Sequence, residues 1–137
     1  MVGLAALSSA CGTDANSVAE CRAIEGARCR AAAGCGYAEV EACELFARDH
    51  CLHGLIPDQA EPVEVEACVS ELERAGECAS ATGLAATASA CGLTLEGADT
   101  TVCEIISRPE LSSRCAFLAE LPTEPPAEVV TDADAGT

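Results

Sequence analysis

The sequence contains no lysine and no tryptophan, and its aromatic residues are one tyrosine and two phenylalanines. All seven basic residues are arginines, and they stand against 23 acidic residues, which gives a net charge of −16. Proteins bind nucleic-acid phosphates through clustered cations, so this balance argues against a nucleic-acid partner and favours a basic protein as partner. The chain also has no apolar run near the roughly 18 residues that a membrane-spanning helix requires.

Large apolar side chains are scarce. Half of the 137 residues are hydrophobic, but 28 of those are alanines and 11 are cysteines. Small side chains bury little area each, so we expect modest hydrophobic stabilisation per residue in a single domain.

Close cysteine pairs are absent, because no two cysteines are nearer than six positions and no C-x2-C motif occurs. This spacing lacks the pairs typical of zinc sites, haem attachment and thioredoxin-like redox sites. Disulfides are therefore the preferred interpretation, and they predict residence in the periplasm or outside the cell.

The N-terminus is an apolar segment that ends in Ser8-Ser9-Ala10 and is followed by Cys11 and Gly12. This order resembles the end of a bacterial lipoprotein signal peptide, cleaved after Ala10 and lipidated on Cys11. The remaining ten cysteines are enough for five disulfides. The resemblance implies a lipid-anchored protein of the bacterial cell envelope, periplasmic or outer-membrane, and Gly12 implies outer-membrane sorting. The alternative is an ordinary cysteine in a frayed N-terminus.

Helix signals predict an all-α fold, a small disulfide-stapled bundle built on an antiparallel helical hairpin. Apolar periodicity and capping motifs predict helices near residues 17–33, 38–53 and 62–76, with a break at Gly34–Gly36. Residues 79–90 fit a weak helix or a loop. Capping boxes at Thr101 and Ser107 predict two short helices divided at Pro109.

The predicted organisation has four parts: a signal-peptide remnant, a lipidated tether, a cysteine-rich helical domain and a disordered acidic tail, at residues 1–10, 11–17, 18–120 and 121–137. The second helix is predicted to place Val40, Cys43, Phe46, Ala47, His50 and Gly54 on one face. Two acidic groups are predicted to lie on solvent faces, namely Glu61/Glu64/Glu66 and Glu71/Glu73/Glu77.

Cysteine positions predict the pairing within the hairpin. Residues at one height of an antiparallel hairpin have a constant sum of positions, and the pair Cys21/Cys51 has the same sum as the pair Cys29/Cys43. We therefore predict the disulfides Cys21–Cys51 and Cys29–Cys43, about 12 Å apart along the axis at 1.5 Å per residue. The geometry resembles that of the twin C-x9-C helical hairpin proteins, except that the spacing in this chain is C-x7-C.

The other cysteines do not reveal their pairing. A disulfide within one helix is excluded, because eight or ten residues of helix exceed the roughly 7 Å that a disulfide can span between Cα atoms. This excludes a bond between Cys68 and Cys78. All other pairings remain open among Cys35, Cys68, Cys78, Cys91, Cys103 and Cys115.

Residues 11–78 carry a resemblance in four motifs: Cys21-Arg-Ala-Ile-Glu-Gly-Ala-Arg-Cys29, Gly34-Cys35-Gly36, Glu41-Ala-Cys43 and Val65-Glu-Ala-Cys68-Val-Ser-Glu-Leu72. They resemble the cysteine-rich lipoproteins common in myxobacteria. The resemblance implies a secreted helical lipoprotein and no activity.

His50 and His53 are the weak candidates for a metal site, because their i, i+3 spacing could present two imidazoles to copper or zinc. Cys51 is assigned to a disulfide and no convincing further ligand lies nearby, so we expect one partly buried and one exposed histidine, no bound metal and no cofactor. No G-x-S-x-G motif or other catalytic arrangement occurs. The sequence predicts a non-enzymatic envelope lipoprotein that acts as an interaction or structural module. The alternative is a thiol-based copper or zinc binding or storage protein, although the C-x3-C steps of copper-storage bundles are missing.

Overall fold

The computed structural model describes residues 18–53 and 60–119. Within those ranges the regular secondary structure is helical, and the only β-type pairings are two isolated bridges, Thr87 with Thr101 and Leu95 with Ser112. The predicted all-α class is therefore confirmed. The expectations for the signal-peptide remnant, the tether with Cys11 and the acidic tail fall outside the described residues.

The described part of the domain has four α-helices: α1 Val18–Ala32, α2 Val40–His50, α3 Pro62–Thr82 and α4 Val102–Ser107. Short 3-10 segments cover Ala33–Cys35, Cys51–His53, Pro109–Leu111 and Ser113–Ala119. The chain reverses between α1 and α2 at Gly36, whose φ of 86° is left-handed and therefore favours glycine. The break predicted at Gly34–Gly36 is confirmed.

The core lies along α1 and α3, which run in the same direction. Near their N-termini, Cys21 and Ile24 of α1 pack with Val65, Cys68 and Leu72 of α3 in one buried cluster. Near their C-termini, α1 and α3 share a second buried cluster with α4 and with the loop that precedes α4. Its members are Ala31, Ala75, Ala79, Ala88, Leu93, Val102, Ile105 and Ile106. We call the first end the tether end, because residues 12–17 lead into it, and the second the loop end.

Helix α3 does not end near Gly76 as predicted but continues to Thr82. Gly76 is buried where α1 crosses, and a Cβ atom built there would lie 2.7 Å from the Cα atom of Ala31. The glycine therefore permits close helix packing and does not end the helix. Residues 79–82 of the ambiguous segment belong to α3, and the loop follows them.

Two local predictions for the shorter helices are wrong. Ser107 does not cap a new helix, because its hydroxyl donates to the Glu104 carbonyl at 3.0 Å and α4 ends at this residue. The single predicted face of α2 is also wrong, since Ala47 is buried whereas Phe46 and His50 are exposed. Only one helix, α1, packs against α2 extensively, so the buried stripe of α2 is narrow.

Alanine substitution of Gly26 in α1 and of Gly76 in α3 should have opposite effects on stability. Gly76→Ala should lower the free energy of unfolding by about 1–3 kcal/mol, because the new methyl group collides with the α1 backbone. Gly26→Ala is the control: its Cβ atom would meet only the end of the Arg30 side chain, at 3.2 Å. There alanine should stabilise by about 0.5–1 kcal/mol through helix propensity. Urea unfolding followed by circular dichroism measures both, and a stabilising Gly76→Ala would contradict the packing.

Five disulfides cross-link the domain. Cys21–Cys51 and Cys29–Cys43 join α1 to the α2 arm, with Cα atoms 5.6 and 5.7 Å apart, and these are the two pairs that the equal sums predict. The other three, whose pairing the sequence left open, are Cys35–Cys103, Cys68–Cys115 and Cys78–Cys91. Five disulfides in a domain of this size indicate an oxidising environment outside the cytoplasm. No helix in the described ranges has the length and apolarity needed to cross a bilayer.

Candidate functional site

Of the charged groups that the structure describes, the carboxylate of Glu71 at the middle of α3 is the most deeply enclosed. Its side chain is fully buried. One oxygen, Oε1, accepts hydrogen bonds from the backbone N–H of Thr94 at 2.8 Å and from the Ser112 hydroxyl at 3.1 Å. The other, Oε2, faces Arg74 Nη1 at 3.2 Å and Arg114 Nε at 3.7 Å. Both oxygens therefore have partners, and the charge is compensated.

This buried polar centre corrects the prediction that Glu71 lies on a solvent face. A signal for its burial was present, because Glu71 lies three residues after Cys68 and four before Ala75, both of them core residues. Ser112 is also fully buried, so neither its hydroxyl nor the carboxylate contacts solvent. The centre joins α3 to the loop at Thr94 and to the C-terminal segment, and its chemistry is that of a structural cross-link.

A second polar cluster orders the loop that follows α3. The Asp99 carboxylate accepts hydrogen bonds from the Ser89 hydroxyl, from the Ser89 N–H at 3.1 Å and from the Thr100 N–H at 3.0 Å. These donors, the Ser89 hydroxyl foremost, favour the ionised carboxylate and hold the pKa of Asp99 below its usual range.

The Ser89–Asp99 link predicts how the loop responds to pH. Because the folded pKa lies below the unfolded one, the link stabilises the loop at pH values above the unfolded pKa and is lost as the pH falls through the folded pKa. Ser89→Ala should raise the pKa of Asp99 towards its ordinary value, as measured by NMR titration of the carboxyl carbon. Ser70→Ala, on the exposed surface of α3, should leave it unchanged. An Asp99 pKa that does not respond to Ser89→Ala would contradict this arrangement.

The predicted metal candidates do not form a ligand set among the described residues. His50 is exposed and stacks on Phe46, with ring centroids 5.3 Å apart, and Cys51 is bonded to Cys21. His53 closes the 3-10 segment after α2, and its side chain lies outside the described part of the structure. In residues 18–53 and 60–119, no group of three or more His, Cys, Asp or Glu side chains is placed to hold a metal ion.

An open groove of about 600 Å³ runs between α1 and α3. Its walls are mainly small residues, and Arg30 faces Glu73 across it at 3.9 Å and Glu44 of α2, outside the groove, at 3.2 Å. The one cation of the groove is thus already matched by carboxylates. The groove follows from the close approach of the two helices at Gly76.

A different kind of surface lies on the side of α2 that faces away from α1. We call it the outer face of α2, and define it by Leu45, Phe46 and Leu52, whose exposed fractions are 59%, 68% and 57%. Single large apolar side chains at this exposure are common on protein surfaces, whereas three of them on one side of a short helical segment favour a contact site. Sequence reasoning missed this face because it assigned Phe46 to the core.

Two arginines flank the outer face. Among the described residues five of the seven arginines form ion pairs with carboxylates, and Arg22 and Arg48 do not. These two lie beside each other, since the Arg22 guanidinium donates to the backbone carbonyl of Arg48 at 3.3 Å. On an acidic protein, this edge of the α1–α2 hairpin therefore carries two cations next to exposed apolar side chains.

Comparison of the chain with protein-family models, with curated proteins and with solved structures found no match in any of the three.

Proposed function

We propose that the protein is a non-enzymatic lipoprotein of the bacterial cell envelope, periplasmic or outer-membrane, that acts as an interaction or structural module held at the membrane by a lipid on Cys11. One observation carries the proposal. The five disulfides use all ten cysteines from Cys21 to Cys115, so these bonds do not involve Cys11. Cys11 directly follows the small residues Ser8, Ser9 and Ala10, as a lipidated cysteine would.

The charge of the domain supports an interaction role with a basic partner. The net charge of −16 repels anionic ligands and attracts cations over Debye lengths of about 10 Å at 0.1 M salt. Binding to a basic partner protein should therefore weaken as salt rises. The disulfides keep the small domain folded outside the cell, where its core of small side chains alone would stabilise it little.

Fatty-acid labelling in a bacterial host tests the anchor. The full chain should incorporate labelled palmitate and fractionate with membranes, whereas Cys11→Ser should remain unlabelled and soluble. Asn16→Ala, in the tether, is the matched control and should be labelled like the parent chain. A parent chain that is unlabelled and retains Met1 would overturn the lipoprotein proposal.

Thiol counting under denaturing conditions tests the proposal against the thiol-based metal-binding alternative. The protein prepared from an oxidising compartment should contain no reactive thiol in residues 21–115 and no stoichiometric metal. Several reactive thiols together with stoichiometric copper or zinc would establish the alternative instead, because Cu(I) and zinc bind thiolates and not disulfide sulfurs.

A further inference from the structure

The tether end of the domain is also the end where the outer face of α2 begins. Helix α2 runs antiparallel to α1, and Cys51 is bonded to Cys21 with the two Cα atoms 5.6 Å apart. Leu52 follows directly, and Leu45 and Phe46 lie one to two helical turns further along α2. The chain from Cys11 therefore reaches the domain next to an exposed apolar surface.

We propose that the outer face of α2 rests on the phospholipid bilayer to which the protein is anchored, an inference that rests on the proposed lipidation of Cys11. Helices that lie in a membrane interface bury leucine and phenylalanine at the boundary of headgroups and acyl chains and keep arginines beside them. The outer face has Leu45, Phe46 and Leu52 at its surface, with Arg22 and Arg48 at its edge. Asp49, which falls between Leu45 and Phe46 on the helix, limits the contact to headgroup depth.

The length of the tether decides which face can reach the bilayer. Seven peptide steps separate Cys11 from Val18, and at about 3.4 Å each they span at most about 24 Å. The loop end lies beyond the far end of α3, whose 21 residues extend about 30 Å at 1.5 Å each. With Val18 held within about 24 Å of the bilayer, the domain cannot stand upright on the loop end, where Leu84 is 60% exposed, whereas the outer face of α2 is within reach.

Electrostatics favours the same orientation. A domain with a net charge of −16 is repelled by anionic headgroups over most of its surface. Arg22 and Arg48 make no ion pair among the described residues, and they offset the exposed carboxylates Glu41 and Asp49 on the same part of α2, so the repulsion is weaker there than over an acidic surface without cations. Like charge also disfavours a second copy of this chain as the occupant of the face.

Single tryptophan reporters test the contact, because the natural chain contains none. The full chain carrying Phe46→Trp is coupled through the Cys11 thiol to a maleimide lipid in vesicles of phosphatidylcholine and phosphatidylglycerol with brominated acyl chains. Leu84→Trp is the matched control, since its side chain is exposed to a similar extent. We expect the emission of the Phe46→Trp protein to be largely lost, and that of the Leu84→Trp protein to match vesicles without bromine.

A second set of variants separates docking of the natural face from an effect of the tryptophan. Adding Leu45→Glu and Leu52→Glu to the Phe46→Trp protein should restore its emission, because the two leucines proposed to contact the bilayer are replaced by charged side chains. Equal quenching at the two reporter sites, no quenching at either, or quenching that survives both glutamates would overturn the proposal. So would a blue shift of the Phe46→Trp emission that grows with protein concentration in the absence of lipid, since a second copy would then occupy the face.

The chemical coupling keeps this test apart from that of the proposed function. If the natural chain is not labelled with fatty acid, the lipoprotein proposal fails whatever the vesicles show. If it is labelled but the Phe46→Trp reporter is not quenched, the anchor stands and the bilayer contact of α2 fails.

Discussion

Replacing Glu71 by alanine should lower the free energy of unfolding by roughly 3 kcal/mol, the low end for loss of one partner from a buried ionic network. The side chain is fully buried, and its removal leaves the Thr94 N–H and the Ser112 hydroxyl without their acceptor. Arg74 and Arg114 are about half exposed, at 48% each, so water can solvate them and the cost stays below that of a wholly buried pair.

The matched control for that change is Glu73→Ala, two residues away on the same helix. Glu73 is 55% exposed and faces Arg30 at 3.9 Å, so its loss should change stability by no more than about 0.5 kcal/mol. Urea unfolding of both variants at neutral pH measures the difference. Equal effects of Glu71→Ala and Glu73→Ala would contradict the buried polar centre.

Removing the Cys68–Cys115 disulfide by a double alanine substitution should cost about 4 kcal/mol from the loss of loop closure alone, given a sequence separation of 47. Both side chains are fully buried, so the cavity left by the sulfurs adds to that cost. The bond is also the covalent link between α3 and the segment Ser113–Ala119. We expect this segment to lose its order, with exposure of Phe117, in the double variant.

The Cys78–Cys91 disulfide provides the comparison. Its separation of 13 predicts a loss of about 3 kcal/mol, and both cysteines are partly exposed, so no cavity forms. Thermal and urea unfolding of the two double variants gives the loss of stability caused by each. The comparison tests whether burial and loop length determine which disulfide stabilises the domain more. A larger loss from Cys78–Cys91 than from Cys68–Cys115 would show that they do not.

The hairpin could be predicted from the sequence because it depends on local, periodic structure. A helix fixes the height of each residue, so the equal sums placed Cys21 beside Cys51 and Cys29 beside Cys43. The other three disulfides involve the irregular loop, α4 and the 3-10 segments. No repeat relates position to height in such segments, and the sequence therefore left their pairing open.

The two misassigned residues of the site have a common cause. Glu71 and Phe46 were placed by side-chain polarity, one on a solvent face and the other in the core, and the structure reverses both. Burial at position 71 follows from where the C-terminal segment folds over α3, which is a long-range feature. Exposure at position 46 follows because α1 is the one helix packed extensively on α2, so half of the helix remains uncovered.

The glycines of the domain also show which roles can be predicted from the local sequence and which cannot. Gly36 ends the α1 arm through its positive φ, as the local sequence predicts. Gly34 and Gly76 are required by the neighbouring helix, since a Cβ atom at Gly34 would lie 2.7 Å from the Gly76 carbonyl oxygen. Close contacts between elements distant in sequence do not leave a local pattern, and Gly76 was therefore mistaken for a helix end.

Mass spectrometry of the non-reduced protein, extracted from the membranes of a bacterial host and digested with protease, would detect the processing of Cys11 and the pairing of the other cysteines in one experiment. We expect an N-terminal peptide that begins at an acylated Cys11, together with five linked peptide pairs that match the disulfides of the structure. An unacylated Cys11 in a peptide that still contains Met1, or Cys11 in a disulfide with any of the other ten cysteines, would contradict this expectation.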